Sequence, residues 1–459
     1  MTTNLLDGIK RIHFIGIGGS GMCPLAEILH TKGYMLSGSD NNESDNIKRL
    51  RMLGIPIFMG HNADNVKGAD MVVYTAAISM DNPELLAAEK MNLPLVERAD
   101  LLAHITHQFS NTIAVAGTHG KTTTTSMLSQ ILVEAEKDPS IFIGGRLPLI
   151  NANGRAGDSD IMVCEACEFK DHYQSMTPAI SIVLNVDADH LDYFGTLENV
   201  IASFHRFLTK TSGKVIYNAA DVNTIKAVEG IPTEQLISYG LDDTCDWYAQ
   251  NVTTVGGAYG DYDLYHHGEY ITHITLGVPG AHNVQNSLAA AAAADLCGVS
   301  PALIASGIAH FGGAGRRFER IGEVNGVTFI DDYAHHPTEI SATISTAKKM
   351  PNTRVFAVFQ PFTFSRTARH LDDFAKALSL ADRVIVSDIM GSRETNQWQV
   401  HSTQITDQIP HAVYCATFPE ITTYILKELQ AGDMVLTMGG GDIYKCARMI
   451  RDAYAEQTK

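Results

Sequence analysis

The chain is expected to fold as α/β, with three domains in series. A Rossmann-like domain covers 1–108, a P-loop-type α/β domain with a small antiparallel β insertion covers 109–313, and a second Rossmann-like domain covers 314–459. Three observations predict this. Strand-like apolar runs alternate with amphipathic, helix-like runs through most of the 459 residues, the pattern of mostly parallel sheets covered by helices. Two glycine-rich turns, Gly16-Ile17-Gly18-Gly19-Ser20-Gly21 and Gly117-Thr118-His119-Gly120-Lys121-Thr122-Thr123, each follow such an apolar run, where open sheets gather ligands. The length also exceeds what one core organises and suits about three domains.

In the first domain, a strand over 12–15 leads through the glycine turn into a helix over 22–31, and a second strand reaches Ser37-Gly38-Ser39-Asp40. This βαβ unit carries G-x-G-x-x-G with an acid about 20 residues on, so by motif alone it reads as a dinucleotide site. A helix near 45–53 and strands at 55–58 and 71–74 continue the alternation.

The middle domain opens on a strand over 112–116 and the second glycine turn. Glycines let the backbone bend tightly, so that successive N–H groups face phosphate oxygens, and the helix starting near Lys121 adds its positive end. In that arrangement Lys121 reaches the β/γ-phosphates of a nucleoside triphosphate and Thr122 holds Mg²⁺. The spacing is an abbreviated P-loop, because glycine appears only at Gly117 where the full rule begins earlier. Strands follow at 161–164, 180–184 and 215–218. Residues 246–276, rich in Thr, Tyr, Gly and Val, read as antiparallel hairpins, and the alanine-dense run 284–296 as a helix.

Gly312-Gly313-Ala314-Gly315 is a plausible hinge. Beyond it the pattern predicts strands at 327–330, 355–359, 384–386 and 434–437, helices at 337–349 and 366–381, and a final helix.

Composition bounds the function. Hydrophobic residues make up 45% and charged residues 19%, and the net charge is −17. That field repels nucleic acid and anionic membrane surfaces. No run approaches the ~18 apolar residues of a membrane span, and the polar start Met1-Thr2-Thr3-Asn4 does not read as a signal peptide, so a cytoplasmic protein is expected. Seven scattered cysteines predict reduced thiols, with Cys164 and Cys167 of the C-x-x-C read as packing residues and a redox or metal role as the alternative.

Further polar residues fall at strand ends. Glu165 follows the 161–164 strand and reads either as a Mg²⁺ ligand or as a surface carboxylate. Asn185-Val186-Asp187-Ala188-Asp189-His190 follows the next strand; His190 alone is an unusual Mg²⁺ donor, since that ion prefers oxygen. Arg316-Arg317 lies just past the hinge. Asp331-Asp332-Tyr333-Ala334-His335-His336-Pro337 and Gln360-Pro361-Phe362-Thr363-Phe364-Ser365-Arg366 follow strands of the third domain. The adjacent histidines should point apart, Arg366 suits a carboxylate in fork geometry, and Ser365 could cap the next helix.

The ordered set of strings closely resembles the Mur ligase family from Arg11 to about Tyr444. They are 13–22, 37–40, 117–123, Glu165-Ala166-Cys167-Glu168, Asp189-His190, His282-Asn283-Val284, 331–337 and Phe364-Ser365-Arg366-Thr367. The resemblance implies that the first turn, with Gly18, Gly19, Ser20, Gly21 and Met22, cradles the diphosphate of a UDP-sugar rather than a nicotinamide, with Ser39, Asp40, His61 and Arg98 beside it. It implies that Gly117, Thr118, His119, Gly120, Lys121, Thr122 and Thr123 bind ATP and that Thr122, Glu165 and His190 surround Mg²⁺. By the same resemblance Asn283 and Asn286 lie near adenine, Arg317 near the phosphates and Asp332 near the ribose. Tyr333, His335 and Arg366 fall on the amino-acid side. Lys121, Glu165, His190, Arg317, His335 and Arg366 become the expected catalytic set. The implied reaction is ATP-driven amide formation in peptidoglycan precursor synthesis, joining L-alanine to the lactyl carboxylate of UDP-N-acetylmuramate through an acyl phosphate. A recycled peptide in place of alanine is the alternative, and the implied assembly is a monomer or homodimer. Phe362 replaces a histidine that many relatives carry.

Overall fold

The computed structural model describes residues 5–75, 78–392 and 394–457; the start Met1-Thr2-Thr3-Asn4 lies outside the described residues. The chain forms two compact units. One comprises Met1–Asn251, Tyr262–Ile274 and Gln285–Phe311; the other comprises Val252–Asp261, Thr275–Val284 and Gly312–Lys459.

The first unit begins with β1 (Arg11–Ile15), β2 (Met35–Asp40), β3 (Ile57–Met59), β4 (Met71–Tyr74) and β5 (Leu95–Glu97). They form a parallel sheet in the order β3-β2-β1-β4-β5. Strand order reverses at β1, so the turn that follows it opens at the switch point of the sheet. Ile12, Phe14, Leu25, Ile28 and Leu29 are buried together beneath that turn.

The central sheet contains β6 (Asn111–Ala116), β7 (Ser140–Leu147), β8 (Ala152–Arg155), β9 (Ile161–Glu165), β10 (Ile180–Val183), β11 (Lys214–Asn218), β12 (Leu236–Gly240), β13 (Trp247–Val255), β14 (Tyr259–His266) and β15 (Glu269–Pro279). Its order is β15-β14-β13-β12-β11-β10-β6-β9-β7-β8. β6 runs parallel between β9 and β10, so a second switch point falls at the second glycine turn. β13, β14 and β15 are joined by three- and two-residue links and are neighbours, which only antiparallel strands allow; the expected hairpins are present. The antiparallel β7–β8 pair went unread in the sequence. It meets the first domain, where Glu27 accepts from Arg49 Nε at 2.6 Å and from Gly154 N at 3.0 Å, while Arg49 also donates to Asn153.

In the second unit, β16 (Glu319–Val324), β17 (Val327–Asp332), β18 (Val355–Phe359), β19 (Arg383–Val386), β20 (Val413–Tyr414) and β21 (Met434–Met438) stand in the order β16-β17-β21-β18-β19-β20. Only β16 is antiparallel to its neighbour. The helix Pro337–Lys349 has the expected bounds because Pro337 opens it, His336 and Glu339 form a capping box, and two lysines complement its end. The helix expected over 366–381 is instead two, Phe364–Arg369 and Leu371–Leu378, separated at His370 with φ −114° and ψ 27°. Ser365 does not cap the first of them. Thr363 accepts from Arg366 N, and Ser365 bonds Glu394 through both its N–H and its hydroxyl.

Candidate active site

Gly117 has φ +140° and Gly120 has φ +86°, values that L side chains rarely adopt. A Cβ on Gly117 would lie 3.0 Å from Leu184 Cβ, and one on Gly120 would lie 2.9 Å from Asn286 Oδ1. Positions 117 and 120 of the loop are therefore glycine by necessity. The loop is pinned to the segment after β10: Thr118 N donates to Asn185 O, His119 N to Asn185 Oδ1 and Asp187 N to Thr118 Oγ1. No side chain caps the helix Lys121–Glu134, so its first turn keeps the polarity that attracts phosphate. Thr122 is buried and Thr123 half-buried.

Register sets what surrounds this loop. Glu165 pairs across from Val115, and Val183 from Ala116, so Glu165 and the 184–190 segment leave the sheet on either side of the loop. Glu165 Oε1 accepts from Gly144 N at 2.6 Å, which orients the carboxylate. His190 sits in the left-handed region at φ +54° before the helix Leu191–Phe194. Its ring packs 4.9 Å from that of Phe169, and its Nε2 lies 3.7 Å from Asp189 Oδ2.

Lys121 is folded back onto its own loop. Its ammonium donates to the carbonyls of Gly117 and Thr118 and to Glu168 Oε1 at 3.0 Å. Glu168 is buried, with Oε2 only 2.9 Å from the same nitrogen. Burial disfavours the ammonium, but the adjacent carboxylates prevail and raise its pKa. In the sequence, Glu168 stood inside a motif string without a role of its own. All seven cysteines are free, and burial pushes the Cys164 thiol up, as for a packing residue.

In the first domain, Gly19 and Ser20 are exposed at the tip of the turn, Gly18 and Gly21 are half-buried, and Met22 is buried. Asp40 accepts from Gly18 N at 3.0 Å. Arg98 lies over the turn, since a Cβ on Gly21 would meet its Cδ at 3.1 Å. Its guanidinium lies 3.3 Å from His172 Nδ1. Ser39 is fully buried, and its hydroxyl is taken by Glu84 and His61 rather than presented outward.

In the second unit the paired arginines separate. Arg316 is consumed by structure: Nε donates to Asp331, the two Nη groups to the carbonyls of Gly441 and Gly439, and its guanidinium carbon lies 4.9 Å from the ring centroids of both Tyr333 and Tyr444. Arg317 makes only a 4.0 Å approach to Glu339 and a contact over Tyr333. Asn283 is buried and donates to Pro279 O at 2.7 Å. The adjacent histidines diverge as expected. The His335 ring faces Tyr333 and Phe362, and the His336 ring faces His370. Burial lowers the His335 pKa to about 4, so it is neutral near pH 7. Phe362 packs against Gly440, and Arg366 is half-buried in the helix that follows it.

Asp332 is buried and accepts from Phe318 N and Ala334 N, yet burial outweighs nearby Arg317 and raises its pKa to about 6 from 3.8. An acid whose folded pKa exceeds its unfolded value binds protons preferentially in the native state. Its favourable contribution is complete below pH 4 and is lost as pH rises through 6, at about 1.4 kcal/mol per unit. The stability of Asp332→Asn relative to the parent should therefore improve by about 3 kcal/mol between pH 4 and pH 7, as read by urea denaturation at each pH. A constant difference would contradict the assignment.

Two glycine-rich turns at switch points, one flanked by a lysine, a carboxylate and an imidazole, define a nucleotide-using α/β enzyme. Residues 11–110 match the model of the Mur ligase family catalytic domain, 115–294 the Mur ligase middle domain and 316–441 the Mur ligase glutamate ligase domain. The chain belongs to the Mur ligase family. It is 45% identical over 440 residues to the UDP-N-acetylmuramate–L-alanine ligase of Agathobacter rectalis, covering 94% of this chain and 96% of that one. To the ligase of the same name from Clostridium novyi it is 42% identical over 460 residues, covering 99% and 100%. Among solved structures, the UDP-N-acetylmuramate-alanine ligase of Thermotoga maritima superposes with a TM-score of 0.85 at 30% identity, covering 98% and 100%. A murein peptide ligase from Psychrobacter arcticus gives 0.77 at 26%, covering 98% and 99%.

Proposed function

We propose that this chain is an ATP-dependent ligase that joins L-alanine to the lactyl carboxylate of UDP-N-acetylmuramate, giving UDP-N-acetylmuramoyl-L-alanine, ADP and phosphate. The observation that carries this reading is the register of β9, β6 and β10, which sets Glu165 and the 184–190 segment on either side of the Lys121 loop. Full-length likeness to ligases of that name supports alanine over a recycled peptide as the second substrate.

The loop suits a triphosphate: Gly117 and Gly120 leave no room for a Cβ, and the helix end behind them carries no side-chain cap. Lys121 would exchange Glu168 and the loop carbonyls for phosphate oxygens. The Thr122 hydroxyl and the Glu165 carboxylate are hard donors that suit Mg²⁺, with His190 the less usual third. Bound there, the ion would supply charge neutralisation as two anions meet. The sugar-borne carboxylate attacks the γ-phosphorus, the bond to ADP breaks, and the acyl phosphate that forms loses inorganic phosphate when the alanine amine attacks its carbonyl. Arg317 would offset charge on the transferring group. Neutral His335, with Tyr333 and Arg366, would receive alanine, Arg366 taking its carboxylate. Asp332 would hold ribose, and Asn283 and Asn286 would lie near adenine. Gly18, Gly19, Ser20, Gly21, Met22, Asp40, His61 and Arg98 would form the UDP side, with Ser39 acting from beneath.

The test is phosphate release with ATP and UDP-N-acetylmuramate plus L-alanine, glycine, L-serine or a tripeptide in turn. Release is expected to be fastest with L-alanine. Faster release with the tripeptide would assign the peptide-adding activity instead.

A further inference from the structure

Glu84 lies behind Ser39 and His61 of the first domain with a fully buried side chain, at the start of the helix Pro83–Lys90. Nothing in the sequence marked it. Five groups converge on its carboxylate, among them Asn62 N, which donates to Oε1 at 3.4 Å. Ser39 Oγ donates to Oε2 at 2.5 Å and Asn65 Nδ2 donates to Oε1. His61 Nδ1 stands 3.2 Å from Oε2 and 3.1 Å from Ser39 Oγ. His13 Nε2 is 3.8 Å from Oε2, beyond hydrogen-bond reach but close enough to act through charge. Burial opposes ionisation, yet His13, Ser39 and Asn65 hold the carboxyl at about 2, so it is a charged acceptor at neutral pH.

That charge decides the state of His61. A carboxylate accepts only, and the single Ser39 proton is directed to it. Both oxygens facing His61 Nδ1 therefore require Nδ1 to carry a hydrogen; a bare Nδ1 would set its lone pair against an anion. In the neutral ring the remaining nitrogen, Nε2, is then an acceptor. The side chain is 12% exposed, while Ser39 and Glu84 behind it are fully buried.

We infer that Glu84 is a positioning residue that locks His61 as the Nδ1–H tautomer, so that Nε2 recognises a hydrogen-bond donor of the uridine moiety, either the uracil N3–H or a ribose hydroxyl. This rests on the proposed UDP-sugar reading of the pocket. Uracil and cytosine differ at this point, because cytosine N3 accepts rather than donates, and an acceptor on the protein selects between them.

The experiment has two readouts on the full chain. Long-range ¹H–¹⁵N spectra report the His61 tautomer, assigned by loss of its signals in His61→Gln. Calorimetry reports binding of UDP, N3-methyl-UDP and 2′,3′-dideoxy-UDP to the parent, Glu84→Gln and Glu84→Asp. The parent is expected to show Nδ1–H. In Glu84→Gln the amide N–H faces His61, the tautomer shifts, and UDP weakens about tenfold, the usual scale for losing a charge-assisted hydrogen bond. The KM for ATP should not move, and Glu84→Asp should restore part of the affinity. Weakening by N3-methylation alone points to uracil, and weakening by the dideoxy analogue alone points to ribose. An Nε2–H parent, or UDP affinity unchanged in Glu84→Gln, overturns the inference, and the parent spectrum decides the tautomer even if the variants fail to fold. UDP failing to bind the parent would reject the pocket reading itself, while the tautomer still reports on Glu84.

Discussion

Lys121→Ala should reduce phosphate release by at least about 10³-fold while leaving UDP binding unchanged, since one charge-stabilising donor at a transition state is worth about that much. The effect has two parts that must be separated. Lys121 is the partner of Glu168, and both side chains are largely buried. Removing the lysine strands a carboxylate, which costs about 3–5 kcal/mol when the remaining charge is buried. A loss of turnover could then reflect a damaged loop rather than a missing phosphate ligand. The double variant Lys121→Ala with Glu168→Gln removes the stranded charge. It should regain most of the stability, read by urea denaturation, and none of the turnover. Recovery of turnover in the double variant would mean that Lys121 serves the fold alone.

Neighbouring arginines should fail in opposite ways. Arg316 is committed to Asp331 and to two backbone carbonyls, and Asp331 is 1% exposed. Arg316→Ala should cost about 3 kcal/mol or more in the C-terminal unit, because a buried carboxylate loses its counter-charge. Arg317 makes no short ion pair, standing 4.0 Å from Glu339 and acting on Asp332 through charge. Its replacement by alanine removes a charge that favours the buried Asp332 carboxylate, so stability should fall by about 1 kcal/mol, well short of the cost of Arg316→Ala. It should lower kcat by about 10²–10³-fold, as expected for a cation that acts when phosphate charge moves. Thermal unfolding and phosphate release on the two variants separate these outcomes. Loss of stability in Arg317→Ala with turnover intact would reverse the assignment.

Sequence patterns located the elements whose signals are local. β4, β18 and the helix Pro337–Lys349 have the expected bounds, and both glycine turns fall at switch points as their position after apolar runs required. Signals failed where long-range contacts decide. The break at His370 leaves no proline or glycine to mark it. The β7–β8 pair went unread despite its apolar Ile141-Phe142-Ile143, because the Glu27 and Arg49 that meet it lie about 100 residues away. Glu84 and Glu168 share one cause of being missed: a carboxylate becomes a hub only once distant partners are folded onto it. Ser39 illustrates the reverse, because its place in a motif suggested ligand contact while its hydroxyl faces Glu84. The divergence of His335 and His336, by contrast, follows from backbone geometry alone and needed no fold.

The central claim is that the loop ending at Lys121 clasps the triphosphate whose terminal group passes to a sugar-borne acid. Diffraction from crystals of the full chain with a non-hydrolysable ATP analogue tests it most directly. The β- and γ-phosphates are expected against the backbone of 117–123, with Lys121 withdrawn from Glu168 onto their oxygens. Triphosphate density lodged elsewhere, with Lys121 still paired to Glu168, would contradict it.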